Sequence, residues 1–244
     1  MPCSSISTRQ HAIFLSFYPP DQRADDSGAT LLIVFGSERS FCGGFNKLVA
    51  QAMLKYRDTD PRQRIIAVGS RLQHTEEYLL LEEQQSDRHT IVTGALVAEE
   101  IPSVLNTLVE CIANWQSDKK NCFSCITALY HNSHTAKVEQ KNIFPLSLDI
   151  PKEIDILRYA PQIYLPPDTL YRQLLENYMF VTLESVITDS LMAENQARIQ
   201  HMEGAEHHAN DELEQLARRH QQIRQEEITE EIELITLFTQ HNFI

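Results

Sequence analysis

Long apolar runs are missing from this chain. The strongest stretch, Leu31 to Phe35, is five residues long, far short of the roughly 18 needed to span a bilayer as a helix. Glycine and proline are scarce, 7 and 10 among 244 residues, which excludes collagen-like and low-complexity architectures. Positive charge is short as well: 21 Lys and Arg stand against 34 Asp and Glu, a formal net of −13. That balance argues against nucleic-acid binding, which depends on basic patches. The opening MPCSSISTRQHAIFLSFYPP has Arg9 and a short apolar patch, but no basic start, long apolar region or small-residue cleavage site. It does not read as a signal peptide, and a soluble cytoplasmic chain is expected.

Cysteine chemistry is equally thin. The five cysteines are Cys3, Cys42, Cys111, Cys122 and Cys125, an odd number that points to reduced thiols. Cys122 and Cys125 make a lone CxxC. A zinc site needs four ligands, and no second CxxC or close Cys/His pair accompanies it. A redox motif would sit at a helix start, where the dipole lowers the thiol pKa; CFSCITALY reads instead as a strand with small buried residues. No Ser/His/Asp or Cys/His catalytic set and no glycine-framed serine is present.

What the chain does contain falls into two textures. Its apolar fraction of 42% over 244 residues suffices for one medium domain plus something extended. Residues 28–165 alternate between strand and helix patterns. ATLLIVFGS is a strand buried on both faces, ending at Gly36. FNKLVAQAMLKYRD has helical spacing through Phe45, Leu48, Ala52, Met53 and Tyr56. RIIAVGS is a second strand, with a helix expected from Leu72 to Glu82, and HTIVTGAL is a third. IPSVLNTLVECIANW is a helix with Val104, Leu105, Leu108, Cys111, Ile112 and Trp115 on one face. CFSCITALYH and AKVEQKNIFPL complete the set. The order predicts an α/β, Rossmann-like, mostly parallel sheet covered by helices. PKEIDILRYAPQIYLPPD, with four prolines, reads as an extended connector.

Residues 166–244 differ. From Asp168 onward there is no proline and one glycine, Gly204, in 77 residues, with 15 acidic and 5 basic side chains, a net of −10. Asp168 is the expected N-cap after Pro166 and Pro167. A helix from there to Thr239 would be about 108 Å long. Met202, Ala209, Leu216 and Ile223 recur every seven residues, Ile199 and Leu213 add the three-residue spacing, and the phase slips near Ile228, Ile232 and Ile235. That is a coiled-coil seam with a stutter, interrupted by Glu206 and His220. A one-sided stripe of this length needs a partner. HMEGAEHHAND is the one candidate turn, but a single Gly costs only ~1 kcal/mol, so an uninterrupted helix is expected.

Two local clusters invite a site. SERSFCGGFN, Ser37 to Asn46, lies between the first strand and the first helix, where backbone N–H groups can cradle a phosphate. It lacks the Lys of a phosphate-binding loop and the GxGxxG of a dinucleotide fold; Gly43 and Gly44 then serve a tight turn. Glu203, Glu206, His207, His208 and Asp211 bring carboxylates and imidazoles together at helical spacing, which on so polar a face reads as solvated surface, with no metal or cofactor expected.

SERSFCGGFN is similar to the Ser–Asp/Glu–Arg–Gly–Leu–Cys–Gly–Gly segment of F-type ATP synthase gamma subunits. Ser37, Glu38, Arg39, Cys42, Gly43, Gly44, Phe45 and Asn46 fit; Ser40 and Phe41 replace the usual Gly and Leu. SLMAENQARIQHMEGAE resembles a second family segment through Ser190, Leu191, Glu194, Ala197, Arg198, Met202 and Ala205. IRQEEITEEIELI resembles a third through Arg224, Gln225, Ile228, Thr229, Glu231 and Ile235, and AVGSR fits around Gly69. The resemblance implies a central rotor shaft, non-catalytic itself, whose long helix turns inside a ring of alpha and beta subunits. The α/β domain would rest against epsilon and the c-subunit ring, at the cytoplasmic face of the bacterial membrane. Membrane contact would come only through the ion-translocating sector. Arg224, Gln225, Thr229 and Glu231 would meet the beta subunits; Glu194, Arg198 and Met202 would lie on the part of the shaft linked to coupling. No cofactor is implied.

The family's first, basic helix has little counterpart here, so residues 1–27 are expected to be a remnant of it and a linker. Leu234 stands where Glu is usual, His208 where Asn is common, and LFTQHNFI replaces a small-residue tail. These departures imply a divergent member, of the kind expected from an alternative, sodium-translocating operon. Two other readings carry distinct consequences. A nucleotide- or metabolite-binding α/β protein with a regulatory coiled coil would bind its ligand at the Gly-Gly turn. A pure oligomerisation protein would pair its helix with itself.

Overall fold

The computed structural model describes residues 29–57, 63–82, 88–117, 123–145 and 164–241. The apolar run at Leu31–Phe35 becomes the centre of strand β1, Ala29–Phe35, with every one of those five side chains at most 2% exposed. Burial on both faces explains why the run does not alternate. β2 (Arg64–Val68) and β4 (Phe123–His131) flank β1 in parallel, and β3 (His89–Val92) adds to β2 in parallel. β5 (Val138–Phe144) pairs antiparallel with β4, giving the order β3-β2-β1-β4-β5. The mostly parallel α/β sheet expected from the sequence is therefore present.

Helices cover both faces. On one, α1 (Phe45–Arg57) brings Val49, Ala50 and Met53 against Leu32, Val34, Ile65, Ala67 and Leu129. On the other, α3 (Ile101–Ser117) brings Val104, Leu105, Leu108 and Ile112 against Leu31, Ile33 and Phe35. Of the face expected for α3, Cys111 and Trp115 are only half-buried.

The helix expected from Leu72 to Glu82 is instead two pieces, a 3-10 turn at Leu72–His74 and α2 at Glu76–Glu82. Thr75 separates them in an extended conformation, its hydroxyl donating to the Leu72 carbonyl at 2.7 Å. Its own carbonyl accepts the N–H groups of Tyr78 and Leu79, each at 3.1 Å. Thr75 thus ends one turn and starts the next, the competition with helical continuation that a hydroxyl residue offers. Cys125 lies half-buried at the less covered beginning of β4, its Sγ 3.5 Å from Thr127 Oγ1, rather than fully buried as expected. Cys122 and most of the proline-rich connector lie outside the described residues.

The last element, α4, runs without a break from Pro167 to His241. Pro167 opens it, so Asp168 belongs to the first turn rather than the cap expected of it. Proline's preset φ and missing N–H suit the first helical position, and Asp168 there faces the positive end of the helix dipole. Up to Arg198 the helix belongs to one compact unit with the sheet. Leu183, Val186, Ile187, Ser190, Ala193 and Glu194 are buried at helical spacing, and Leu183, Val186 and Ile187 join the same core as α3. Residues 199–244 form a second unit. There the helix continues through Gly204, and every side chain from Ile199 to Thr236 is exposed, the seam residues Met202, Leu213, Leu216 and Ile223 included. Among the described residues, no helix is long and apolar enough to cross a membrane.

Candidate functional site

The site is built where the parallel strands end. Gly36 N–H donates to the Val68 carbonyl at 2.8 Å and Gly69 N–H to the Val92 carbonyl at 2.9 Å, drawing the ends of β1, β2 and β3 together. Gly69 has φ +104°, and a Cβ there would lie 2.8 Å from the Gly36 carbonyl oxygen. No side chain fits that approach.

The segment Ser37–Asn46 then folds back on itself. Buried Ser37 donates its N–H to Asn46 Oδ1 at 2.8 Å, receives Asn46 Nδ2 on its hydroxyl at 2.8 Å, and donates that hydroxyl to the Arg39 carbonyl at 2.9 Å. Asn46 stands in the first turn of α1, so this pair closes the loop onto the helix. Phe41 (φ 66°) and Gly43 (φ 58°) take left-handed conformations; Phe41 is 66% exposed. Cys42 and Phe45 turn inward onto Ala193 and Ala197 of α4. The Phe45 ring stacks on His131 at 3.9 Å, and His131 Nε2 donates to the Phe45 carbonyl at 2.9 Å. Burial holds the His131 imidazole below its ordinary pKa, against the opposing pull of that hydrogen bond.

Two carboxylates organise the rest. Glu194 of α4 is 4% exposed. Its oxygens accept the backbone N–H groups of Glu38 and Arg39, both at 3.2 Å, and it pairs with Arg198 one turn on. Arg198 reaches further, from Nε to the Ser40 carbonyl at 3.4 Å and from Nη1 to Asn195 Oδ1 at 2.9 Å. Its Nη2 lies 3.7 Å from Cys42 Sγ. Burial lifts the Glu194 carboxyl above its usual pKa, opposed by the two N–H groups and the guanidinium. Burial and the Glu194 charge likewise push the Cys42 thiol up, so it is no activated nucleophile.

Glu38 is the second carboxylate. It accepts Ser70 N–H at 2.9 Å, Gly94 N–H at 2.8 Å and the Ser70 hydroxyl. Partial burial works to raise its pKa, but these hydrogen bonds and the Arg71 charge outweigh it and leave it below the ordinary value.

The crevice beyond β1, between strands whose connections leave in opposite directions, is where open α/β sheets bind ligands. Beside it, the backbone N–H groups of Glu38, Arg39, Ser70 and Gly94 hold the protein's own carboxylates. The arrangement joins the strand ends, the loop and the long helix.

Of the residues singled out in the sequence, Ser37, Arg39, Cys42, Gly43, Gly44 and Asn46 gather with Glu194 and Arg198. Arg39 contributes its backbone while its side chain is exposed, and the Gly44 carbonyl receives Leu48 N–H at 3.1 Å. Met202, Arg224, Gln225, Thr229 and Glu231 fall in the other compact unit and are exposed; the Thr229 hydroxyl donates to the Gln225 carbonyl at 2.8 Å. His208 there lies 3.4 Å from Glu212. The sequence placed Glu38 and Ser70 inside recognised segments without assigning either to the site, and gave no sign of Gly94 or His131. The signal for Glu38 was an acidic residue inside a loop already singled out; nothing in the sequence pointed to His131.

Comparison with known proteins matches residues 4–236 to the family described as ATP synthase. The ATP synthase gamma chain of Nautilia profundicola is 23% identical over 210 residues, covering 84% of this chain and 70% of the relative. That of Aliarcobacter butzleri is 25% identical over 227 residues, covering 87% and 72%. A chain in the structure of the Euglena gracilis mitochondrial ATP synthase shares the fold with a TM-score of 0.55 at 14% identity, covering 97% of this chain and 86% of that one. Another, in the central stalk and c-ring of the Tetrahymena thermophila enzyme, gives 0.54 at 12% identity, covering 84% and 86%.

Proposed function

The chain belongs to the ATP synthase family, and from that premise we propose that it is a gamma-type rotor shaft, which couples ion flow through a membrane sector to nucleotide chemistry elsewhere in the complex. The observation that carries this reading is the contrast along one helix. Up to Arg198 α4 is seated on the α/β sheet through Leu183, Val186, Ile187 and the Glu194–Arg198 contacts. From Ile199 onward it presents an unburied apolar stripe with polar flanks. A helix held firmly at one part and displaying a partner-seeking face along another suits a shaft. The N–H groups of Glu38, Arg39, Ser70 and Gly94 are bound to the protein's own carboxylates and not left for a nucleotide, which weighs against the nucleotide-binding alternative.

On this reading, Glu194 and Arg198 hold the α/β domain to the shaft, so that torque on one reaches the other. Met202 and the rest of the stripe seat a partner helix. Arg224, Gln225, Thr229 and Glu231, polar and exposed, meet the beta subunits, and the alpha subunits complete the surrounding ring. The α/β domain, over residues 28–165, rests on epsilon and the c-subunit ring, which puts the protein at the cytoplasmic face of a bacterial membrane without entering it. Catalysis belongs to beta; this chain contributes motion. The helical segment from 166 onward is the shaft proper.

The test is reconstitution with the alpha and beta subunits of the same organism. Size exclusion should give a particle of three alpha, three beta and one copy of this chain that hydrolyses ATP. Alpha and beta that assemble and elute without it, under conditions where each is folded, would overturn the assignment.

A further inference from the structure

Glu38 links the two tiers of contacts described above. Its backbone N–H is one of the two backbone donors to Glu194, while its side chain holds the ends of two other strands through Ser70 N–H at 2.9 Å, Gly94 N–H at 2.8 Å and the Ser70 hydroxyl. The loop that presents N–H groups to Glu194 would otherwise be held on this side by backbone alone. Gly94 leaves room for the approach: a Cβ there would sit 3.3 Å from Glu38 Oε2. The short side chain of Ser70, on the turn that Gly69 (φ +104°) makes possible, brings its hydroxyl to the same carboxylate.

We propose that Glu38 is the positioning residue of the shaft contact: its carboxylate ties the ends of β2 and β3 to the loop, and so aims the Glu38 and Arg39 N–H groups at Glu194 of the long helix. Force on the sheet then reaches α4 through a continuous chain, from strand ends to the Glu38 carboxylate, to its own N–H, to Glu194. The carboxylate presents two oxygens to three donors from two strand ends, a fixed geometry that suits a joint that must not slip. The chain of contacts uses geometry rather than net charge. A Gln at this position can accept Ser70 and Gly94 N–H on its carbonyl oxygen and donate to the Ser70 hydroxyl.

This inference rests on the rotor reading, and the wild-type control separates the two. The holoenzyme containing the wild-type chain is placed in vesicles, and ATP-driven membrane potential, read with a potential-sensitive dye, is divided by ATP hydrolysed. A wild-type complex that fails to assemble or hydrolyse ATP refutes the rotor reading itself. With that control sound, Glu38→Ala should lower the ratio several-fold, whereas Glu38→Gln should keep it within about twofold. Because Glu38 and Glu194 act in series, the double variant Glu38→Ala/Glu194→Ala should pump no worse than Glu194→Ala. Should Glu38→Ala not assemble, Ser70→Ala, which removes one hydroxyl, takes its place in the same cycle and should lower the ratio measurably but not beyond Glu194→Ala. A wild-type ratio in the assembled Ala variant, failure of Glu38→Gln to restore it, or independent, multiplying losses in the cycle would overturn the proposal.

Discussion

Glu194 is nearly sealed from solvent, and two of its partners come from far away in sequence, the backbone N–H groups of Glu38 and Arg39 in the β1–α1 loop, while Arg198 lies one turn on along its own helix. Removing Arg198 would leave a buried carboxylate short of its countercharge, a change that costs about 3–5 kcal/mol. Arg198→Ala should therefore unfold at markedly lower urea. Trp115, the chain's single tryptophan, reports on the α/β unit by fluorescence, since its ring packs near Phe123 with Arg64 5.1 Å over it. His131 supplies a second residue-scale test. Its folded pKa lies below the unfolded value, so the unfolded chain takes up a proton first as pH falls. The stability it contributes is complete above about pH 6.5 and declines below that until the folded pKa is reached. Glu38, also depressed in the fold, loses its contribution only at more acid pH, below the ordinary carboxylate value. Between pH 7.5 and 5.5 the urea midpoint of the wild type should drop relative to that of His131→Gln, which keeps a donor for the Phe45 carbonyl. Equal slopes would count against a buried neutral imidazole. At this scale the sequence was half legible. The motif gathered Ser37, Cys42, Asn46, Glu194 and Arg198 because a recurring pattern marks residues that meet. It matched the segment holding Ser70 without giving that residue a role and was silent about Gly94 and His131, whose roles depend on which strand ends lie side by side, a matter of sheet order and not of local spacing.

Elements were easier to foresee where periodicity was strong. The five apolar residues of β1 and the helical face of α3 needed no tertiary information. The continuous helix from Leu72 to Glu82 and the cap at Asp168 were misjudged because which capping residue operates depends on where the chain turns: Thr75 interrupts the first, while Pro167 takes the first helical position and moves Asp168 inside. Two glycines make opposite predictions from the same substitution. Gly69→Ala would meet the Gly36 carbonyl oxygen at 2.8 Å from a left-handed backbone, costing roughly 1–3 kcal/mol or more. Gly204→Ala, in an open helical position with nothing near its Cβ, should instead gain about 1 kcal/mol of local helix stability. Thermal melting of the α/β unit checks the first, and amide exchange around residue 204 checks the second. A destabilised Gly204→Ala would mean that the helix does not run straight through that position.

For the whole molecule, burial predicts a gradient of protection. Amides from Leu183 to Glu194 lie on the part of α4 packed into the core, whereas those from Ile199 to Thr236 belong to a stretch of the same helix with no buried side chain. An isolated amphipathic helix is marginal in water, so exchange in the chain alone should be fast across 199–236 and slow across 183–194. Assembly with alpha and beta should slow the former. The need for a partner was legible from the seven-residue spacing alone; which partner was not, since an apolar seam specifies chemistry and register rather than identity. The central claim is rotation, and it can be watched. With alpha and beta anchored to a surface and a bead attached to the α/β domain of this chain, ATP should drive the bead in one direction, with pauses at three equally spaced positions in each turn. A particle that retains the chain and hydrolyses ATP while the bead only fluctuates would contradict the account.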